Sequence, residues 1–165
     1  MTALIVDDEP LARSHLRRLL ESQQVQVAGE AETAAQALQL AEDLHPDMFL
    51  VDIQMPGLTG LQMAAALLQL DPVPLIVFVT GYSEHAVAAF EHGALDYLVK
   101  PVAADRMAKT LVRARERLAD VQIRRAAEQR VQEQVSDAPP LRRLPVRLDY
   151  AVRLLRIEED RKSVV

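Results

Sequence analysis

Cysteine is absent from the 165 residues, which excludes disulfides and thiolate metal sites and leaves oxygen-ligand chemistry open. Histidine is scarce: His15, His45, His85 and His92 stand apart, without the spacing of a zinc site, and read as surface or structural residues. Long apolar runs are missing too. The longest are strand-sized, well short of the ~20 residues that a membrane helix needs, so no membrane partner is expected. No basic stretch followed by a long apolar run opens the chain, and no signal peptide is expected. Internal repeats and strong low-complexity segments are also lacking. The expectation from these absences is a soluble, cytoplasmic protein.

What is present is a chain with half its residues apolar, enough for one well-buried domain plus an extension but short for two ordinary domains. The overall charge of −5 conceals an asymmetry. Residues 1–103 carry four Lys/Arg and fourteen Asp/Glu, a net of −10, whereas residues 104–165 carry fifteen and ten, a net of +5. Such a split suggests two parts with different partners. The basic part is compatible with nucleic-acid binding and equally with a solvated helix face.

Short apolar runs alternate with helical patterns through the first hundred residues. The runs are Ala3–Val6, Val25–Ala28, Met48–Val51, Leu75–Val79 and Leu95–Val99, rich in Val, Ile and Leu and mostly without polar alternation. That is the pattern of a sheet buried on both faces. Between them Ala12, Leu16, Leu19 and Leu20 recur at helical spacing, as do Ala34, Leu38 and Ala41, and Leu61, Ala64, Ala65 and Leu68. Pro10 suits the first turn of a helix, and Ser83 suits the cap of a helix carrying Ala86, Val87 and Phe90. Five β–α units predict an α/β fold: a doubly wound, five-stranded parallel sheet with helices on both faces.

An extended fifth helix starts near Ala103 and meets no breaker before Ser136-Asp137-Ala138-Pro139-Pro140. Met107, Leu111, Ala114, Leu118 and Val121 form a seam of about two heptads. Two readings stand: its first half covers the sheet and the rest is solvated linker, or the seam dimerises and transmits a signal. After the prolines, Leu144, Val146, Leu148, Tyr150, Val152 and Leu154 alternate with more polar neighbours, as two short strands with a turn at Asp149-Tyr150 would. Twenty-five residues are too few for an independent core.

The chemistry lies at the strand ends, where ligands bind in open parallel sheets. Strand 1 is followed by Asp7, Asp8 and Glu9, strand 3 by Asp52, strand 4 by Thr80 and strand 5 by Lys100, while strand 2 adds nothing obvious. In the order 2-1-3-4-5, strands 1 and 3 meet at the switch point and their acids converge. Three acids and one lysine stay too negative unless a cation enters, and oxygen-only ligands favour Mg²⁺. Asp52 is then a candidate nucleophile towards phosphorus, giving an aspartyl phosphate. Mg²⁺, Lys100 and the Thr80 hydroxyl would share the three equatorial oxygens. Glu9 has two readings, an outer ligand or a favourable charge at a helix start, and the second is preferred.

Residues 1 to about 120 closely resemble a response-regulator receiver domain of two-component signalling, on LIVDDEP, FLVDIQMPGLTG, FVTGYSEHAVAAFEHGALDYLVKP and the spacing between them. The resemblance implies a flavodoxin-like fold, with Asp52 as phosphoacceptor and Asp7 and Asp8 as the acidic pair for Mg²⁺. It further implies Gln54 as a main-chain carbonyl ligand, Thr80 as the switch hydroxyl, Lys100 as the phosphoryl contact and Tyr97 as the aromatic switch. A cis peptide bond is expected at Lys100-Pro101. VDDEPLAR and AFEHGALDYLVKP are most similar to receivers that precede LytTR-type DNA-binding domains.

The implied organisation is a receiver at 1–120, a helical linker at 121–140 and an incomplete N-terminal portion of a LytTR-like domain at 141–165. The implied partners are a sensor histidine kinase and a second copy, through a face running over Ala86–Phe90, Leu95–Val99 and Met107–Leu118. DNA is a partner only with the full LytTR domain, and no DNA-contacting residue is carried over. A haloacid-dehalogenase-like phosphatase also uses Asp, Mg²⁺, Thr and Lys. It requires a second Asp where Gln54 stands and a cap domain for which there is no room. A degenerate, phosphorylation-independent receiver is opposed by the intact acidic set. The expected protein is a phosphoacceptor and not a turnover enzyme.

Overall fold

Ala3, Leu4, Ile5 and Val6 are wholly apolar, and each is completely buried against one of two opposite layers of helix. They form the centre of β1 (Thr2–Val6) in a computed structural model that describes residues 1–81, 93–136, 143–148 and 151–156, and only the backbone course from residue 131 on. β2 (Gln26–Ala31), β3 (Met48–Val51), β4 (Leu75–Thr80) and β5 (Asp96–Val99) join it in one parallel sheet of order β2-β1-β3-β4-β5, as the sequence predicts. β2 runs three residues beyond the expected Ala28. It is an edge strand, half-buried along most of its length, so Glu30 can sit in it without losing water.

The helices follow from their caps and apolar stripes. α1 (Pro10–Ser22) begins with Pro10 at its first position, where a missing N–H costs nothing. α2 (Ala34–Leu44) starts at Thr33, whose hydroxyl accepts the Gln36 N–H at 3.2 Å, and it buries Ala34, Ala37 and Ala41. α3 (Gly60–Leu67) opens with a capping box between Thr59 and Gln62. α4 (Ala104–Ser136) is the helix that the sequence counts as fifth. The stretch with Ser83, Ala86, Val87 and Phe90 lies outside the described residues.

Alternate strand residues serve the two layers. Ile5, Leu50, Val79 and Leu98 pack with Leu16 and Leu20 of α1 and with Met107, Leu111 and Ala114 of α4. Leu4, Val51, Phe78 and Tyr97 pack with α2 and α3. The first half of the Met107–Val121 seam therefore covers the sheet: Met107, Leu111 and Ala114 are fully buried, Leu118 and Val121 only partly, and residues 122–130 are exposed.

The chain divides into two units, Met1–Gln122 and Ile123–Val165. The second contains an antiparallel hairpin of β6 (Arg143–Leu148) and β7 (Ala151–Arg156), the two short strands expected from the period of two. The expected turn at Asp149-Tyr150 lies outside the described residues. Among the described residues no helix is long and apolar enough to cross a membrane.

Candidate functional site

The backbone bonds that end the strands also align their tips. The Asp7 N–H donates to the Ala31 carbonyl at 3.1 Å, Asp52 N–H to Val6 at 2.8 Å and Lys100 N–H to Thr80 at 2.9 Å. Asp7, Asp52, Thr80 and Lys100 thus share the carboxyl edge of the sheet, where ligands enter this class of fold.

Asp7 and Asp52 are buried and Asp8 is exposed, and the three offer carboxylate oxygens that lie within 4.8 Å of one another. The two buried acids are oriented alike. Asp7 Oδ1 accepts the Glu9 N–H at 3.0 Å, and Asp52 Oδ1 accepts the Gln54 N–H at 3.1 Å. Each turns its Oδ2 to Lys100, whose Nζ stands 2.7 Å from both. The contact with Asp52 is an aligned hydrogen bond. That with Asp7 is an equally short ion pair, so the one ammonium is shared between the two buried acids. Glu9 Oε1 is 3.6 Å from the same ammonium. Glu9 occupies the N-cap of α1 without a side-chain cap bond, so its charge serves the helix start and the lysine together.

Burial pushes the Asp7 carboxyl up, and the Lys100 ammonium and the Glu9 amide offset this only in part, with the Asp52 charge adding to the rise. Burial alone would lower Lys100, but its bonds to Asp52 and Asp7 prevail and raise it. Three carboxylates face one ammonium, so negative charge remains. An all-oxygen donor set of this span fits a small hard divalent cation.

Thr80 is fully buried, and its hydroxyl has no hydrogen-bond partner among the described residues. Tyr97 is not part of the acidic cluster. It pairs with Phe78 two register positions before the Thr80–Val99 pair, which places Thr80 and Tyr97 on the same sheet face. The Lys100-Pro101 peptide is cis, as expected.

The expectation that strand 2 adds nothing to this edge is corrected. Glu30 and Glu32, from β2 and the residue just beyond it, receive hydrogen bonds from the Arg13 guanidinium, which also donates to the Asp7 carbonyl. Arg13 had a signal in the sequence: it sits on the buried stripe of α1, three residues before Leu16. A charge at an apolar position requires partners. Asp96 was likewise unforeseen. It is a buried carboxylate at the start of β5, bound by Arg106, Arg113 and Thr110 of α4.

A family model described as "Response regulator receiver domain" matches residues 3–112. The transcriptional regulatory protein BtsR of Salmonella typhimurium is 47% identical over 116 residues, covering 68% of this chain and 47% of that protein. An uncharacterized response regulatory protein of Vibrio cholerae is 43% identical over 119 residues, 71% of this chain and 46% of that protein. The chain therefore spans just under half the length of these curated relatives. Among solved structures, the response regulatory domain of protein mrkE from Klebsiella pneumoniae is similar with a TM-score of 0.68 at 32% identity. That match covers 73% of this chain and 99% of that one.

Proposed function

The chain belongs to the response regulator receiver domain family, and on that premise we propose that Asp52 accepts a phosphoryl group from a phosphohistidine of a sensor histidine kinase. The observation that carries this reading is the convergence of Asp7, Asp8 and Asp52 with Lys100 at one edge of the sheet.

An Asp52 carboxylate oxygen attacks phosphorus in line with the donor nitrogen. The P–N bond breaks, its electron pair leaves with the imidazole, and the product is an acyl phosphate on Asp52. Asp7, Asp8, Asp52 and the main-chain carbonyl of Gln54 would hold Mg²⁺, which supplies positive charge to the developing phosphoryl oxygens. Lys100 keeps its ion pair with Asp7 and turns its bond from the Asp52 carboxylate to a phosphoryl oxygen. The unpartnered Thr80 hydroxyl donates to another. Movement of Thr80 leaves room on the sheet face it shares with Tyr97, and the aromatic ring follows. This carries the change to the β5–α4 face, where a second copy binds.

Gln54 stands where a dehalogenase-like phosphatase would need a second Asp, which supports a phosphoacceptor over a turnover enzyme. The β6–β7 hairpin and the transcriptional relatives support reading 1–120 as the receiver, 121–140 as linker and 141–165 as the opening strands of a LytTR-type domain. Incubation with a small acyl phosphate and Mg²⁺ tests the site, read by intact mass. Wild type gains one phosphoryl group and Asp52→Asn gains none. Equal modification of both places the acceptor elsewhere.

A further inference from the structure

Asp8 differs from its neighbours in the cluster. It is exposed, and among the described residues its carboxylate has no hydrogen bond. Asp7 is fixed by an amide and by Lys100, so Asp8 is placed by its backbone alone. The peptide that joins the two acids is planar. Whatever holds the Asp7 carbonyl therefore sets the direction in which Asp8 leaves the strand.

That carbonyl accepts a 2.7 Å bond from Arg13 Nη1. The remainder of the guanidinium is held on its far side, Nε by Glu30 at 3.3 Å and Nη2 by Glu32 at 2.7 Å. Glu30 is braced in turn by Arg17 Nε at 2.6 Å. Three acceptors in different directions suit the rigid fork of arginine and not the single ammonium of lysine. Two arginines against two glutamates leave this group without net charge, so it lends the site order and not potential.

We infer that Arg13 is a positioning residue for the acidic cup: by holding the peptide between Asp7 and Asp8 against β2, it sets the spacing at which the two carboxylates meet a divalent cation. This rests on the reading of Asp7, Asp8 and Asp52 as Mg²⁺ ligands. Positioning and simple charge have opposite signs here. Removing a nearby positive charge strengthens cation binding, whereas releasing the peptide weakens it.

The experiment is calorimetric titration of Mg²⁺ into the 165-residue chain, with the thermal midpoint of each Mg²⁺-free variant measured alongside. Arg13→Gln and Arg13→Lys both bind Mg²⁺ about tenfold more weakly, the scale of outer-shell substitutions at metal sites. Arg17→Gln, which breaks the neighbouring pair, stays within about twofold, on the expectation that outer contacts one step removed matter less. Wild-type or tighter binding by Arg13→Gln, or wild-type binding by Arg13→Lys, overturns the inference. If both variants fail to fold, Glu32→Gln decides, because Glu32 is 65% exposed and its loss removes one anchor of Arg13. A several-fold weakening supports the assignment and an unchanged affinity overturns it. Equal binding by wild type and Asp8→Asn would instead refute the metal-site reading itself.

Discussion

Gly60 is placed where the first turn of α3 comes down on the main chain of Asp52. A Cβ there would meet the Asp52 carbonyl oxygen far inside van der Waals contact and Val51 Cγ1 at 2.9 Å. The obstacle is backbone, and the Gly60 N–H is bonded to the Ile53 carbonyl at 3.0 Å, so neither side can yield without moving the tip of β3. Gly60→Ala should cost about 1–3 kcal/mol, as overpacking does, and it should slow phosphoryl acceptance by displacing Asp52. Urea unfolding and the rate of mass gain with an acyl phosphate read the two effects. Gly57 is the comparison. It has φ +83° with open space around it, so Gly57→Ala strains a turn by about 1–2 kcal/mol and leaves Asp52 in place. A Gly60→Ala protein that phosphorylates at the wild-type rate would show that the approach of α3 does not govern the acceptor.

Between elements, Asp96 is the clamp that joins β5 to α4. Its Oδ1 accepts from the Tyr97 N–H at 2.8 Å and Arg106 Nη2 at 2.7 Å, and its Oδ2 from Arg106 Nη1, Arg113 Nη2 and the Thr110 hydroxyl. Burial would raise this carboxyl, but the bonds from Arg106, Thr110 and the Tyr97 amide outweigh it and hold it below the usual value of 3.8. A depressed acid contributes stability that is complete above its unfolded value and is lost as pH falls through the folded one. Asp96→Asn should therefore be less stable at neutral pH by about 2 kcal/mol, less than a fully buried pair loses because both arginines keep water. Urea midpoints should converge with wild type as pH falls through the lowered Asp96 value, where the wild-type carboxyl also loses its charge. A gap that persists at low pH would mean that Asp96 acts by shape and not by charge. Asp96 was not legible in the sequence and Arg13 only as a charge on an apolar stripe, and the partners of both were hidden for one reason. Their side-chain partners lie 10 to 19 residues away in sequence, and only strand register and helix placement bring them together. The sheet was legible because strands buried on both faces are written as continuous apolar runs. β2 was cut short because an edge strand admits Gly29 and Glu30, which read as breakers. The acidic edge was legible because strand order alone brings Asp7, Asp8, Asp52 and Lys100 to one side.

For the molecule as a whole, the question is what remains for a second copy once the core has formed. Met107, Leu111 and Ala114 are spent on the sheet, so of the expected seam only the partly exposed Leu118 and Val121 remain for the proposed second copy. The β5–α4 face still exposes two large apolar side chains, Val99 at 46% and Val112 at 51%. Exposed charges flank Val112 on the same side of the helix, Lys109 three residues before it and Glu116 four after. A pair of copies related by two-fold symmetry would place each patch against itself, so every substitution counts twice. Burying a valine contributes about 1.5–3 kcal/mol at most, and each 1.4 kcal/mol is about tenfold in affinity. Val112→Arg should therefore weaken the phosphorylated dimer by at least about tenfold, while Asp52 still accepts its phosphoryl group. Sedimentation velocity on the acyl-phosphate-treated chain measures both forms, with Asp52→Asn as the monomeric reference. A Val112→Arg chain that dimerises with the wild-type constant would place the contact on another face, and dimers formed equally by Asp52→Asn would uncouple assembly from phosphorylation.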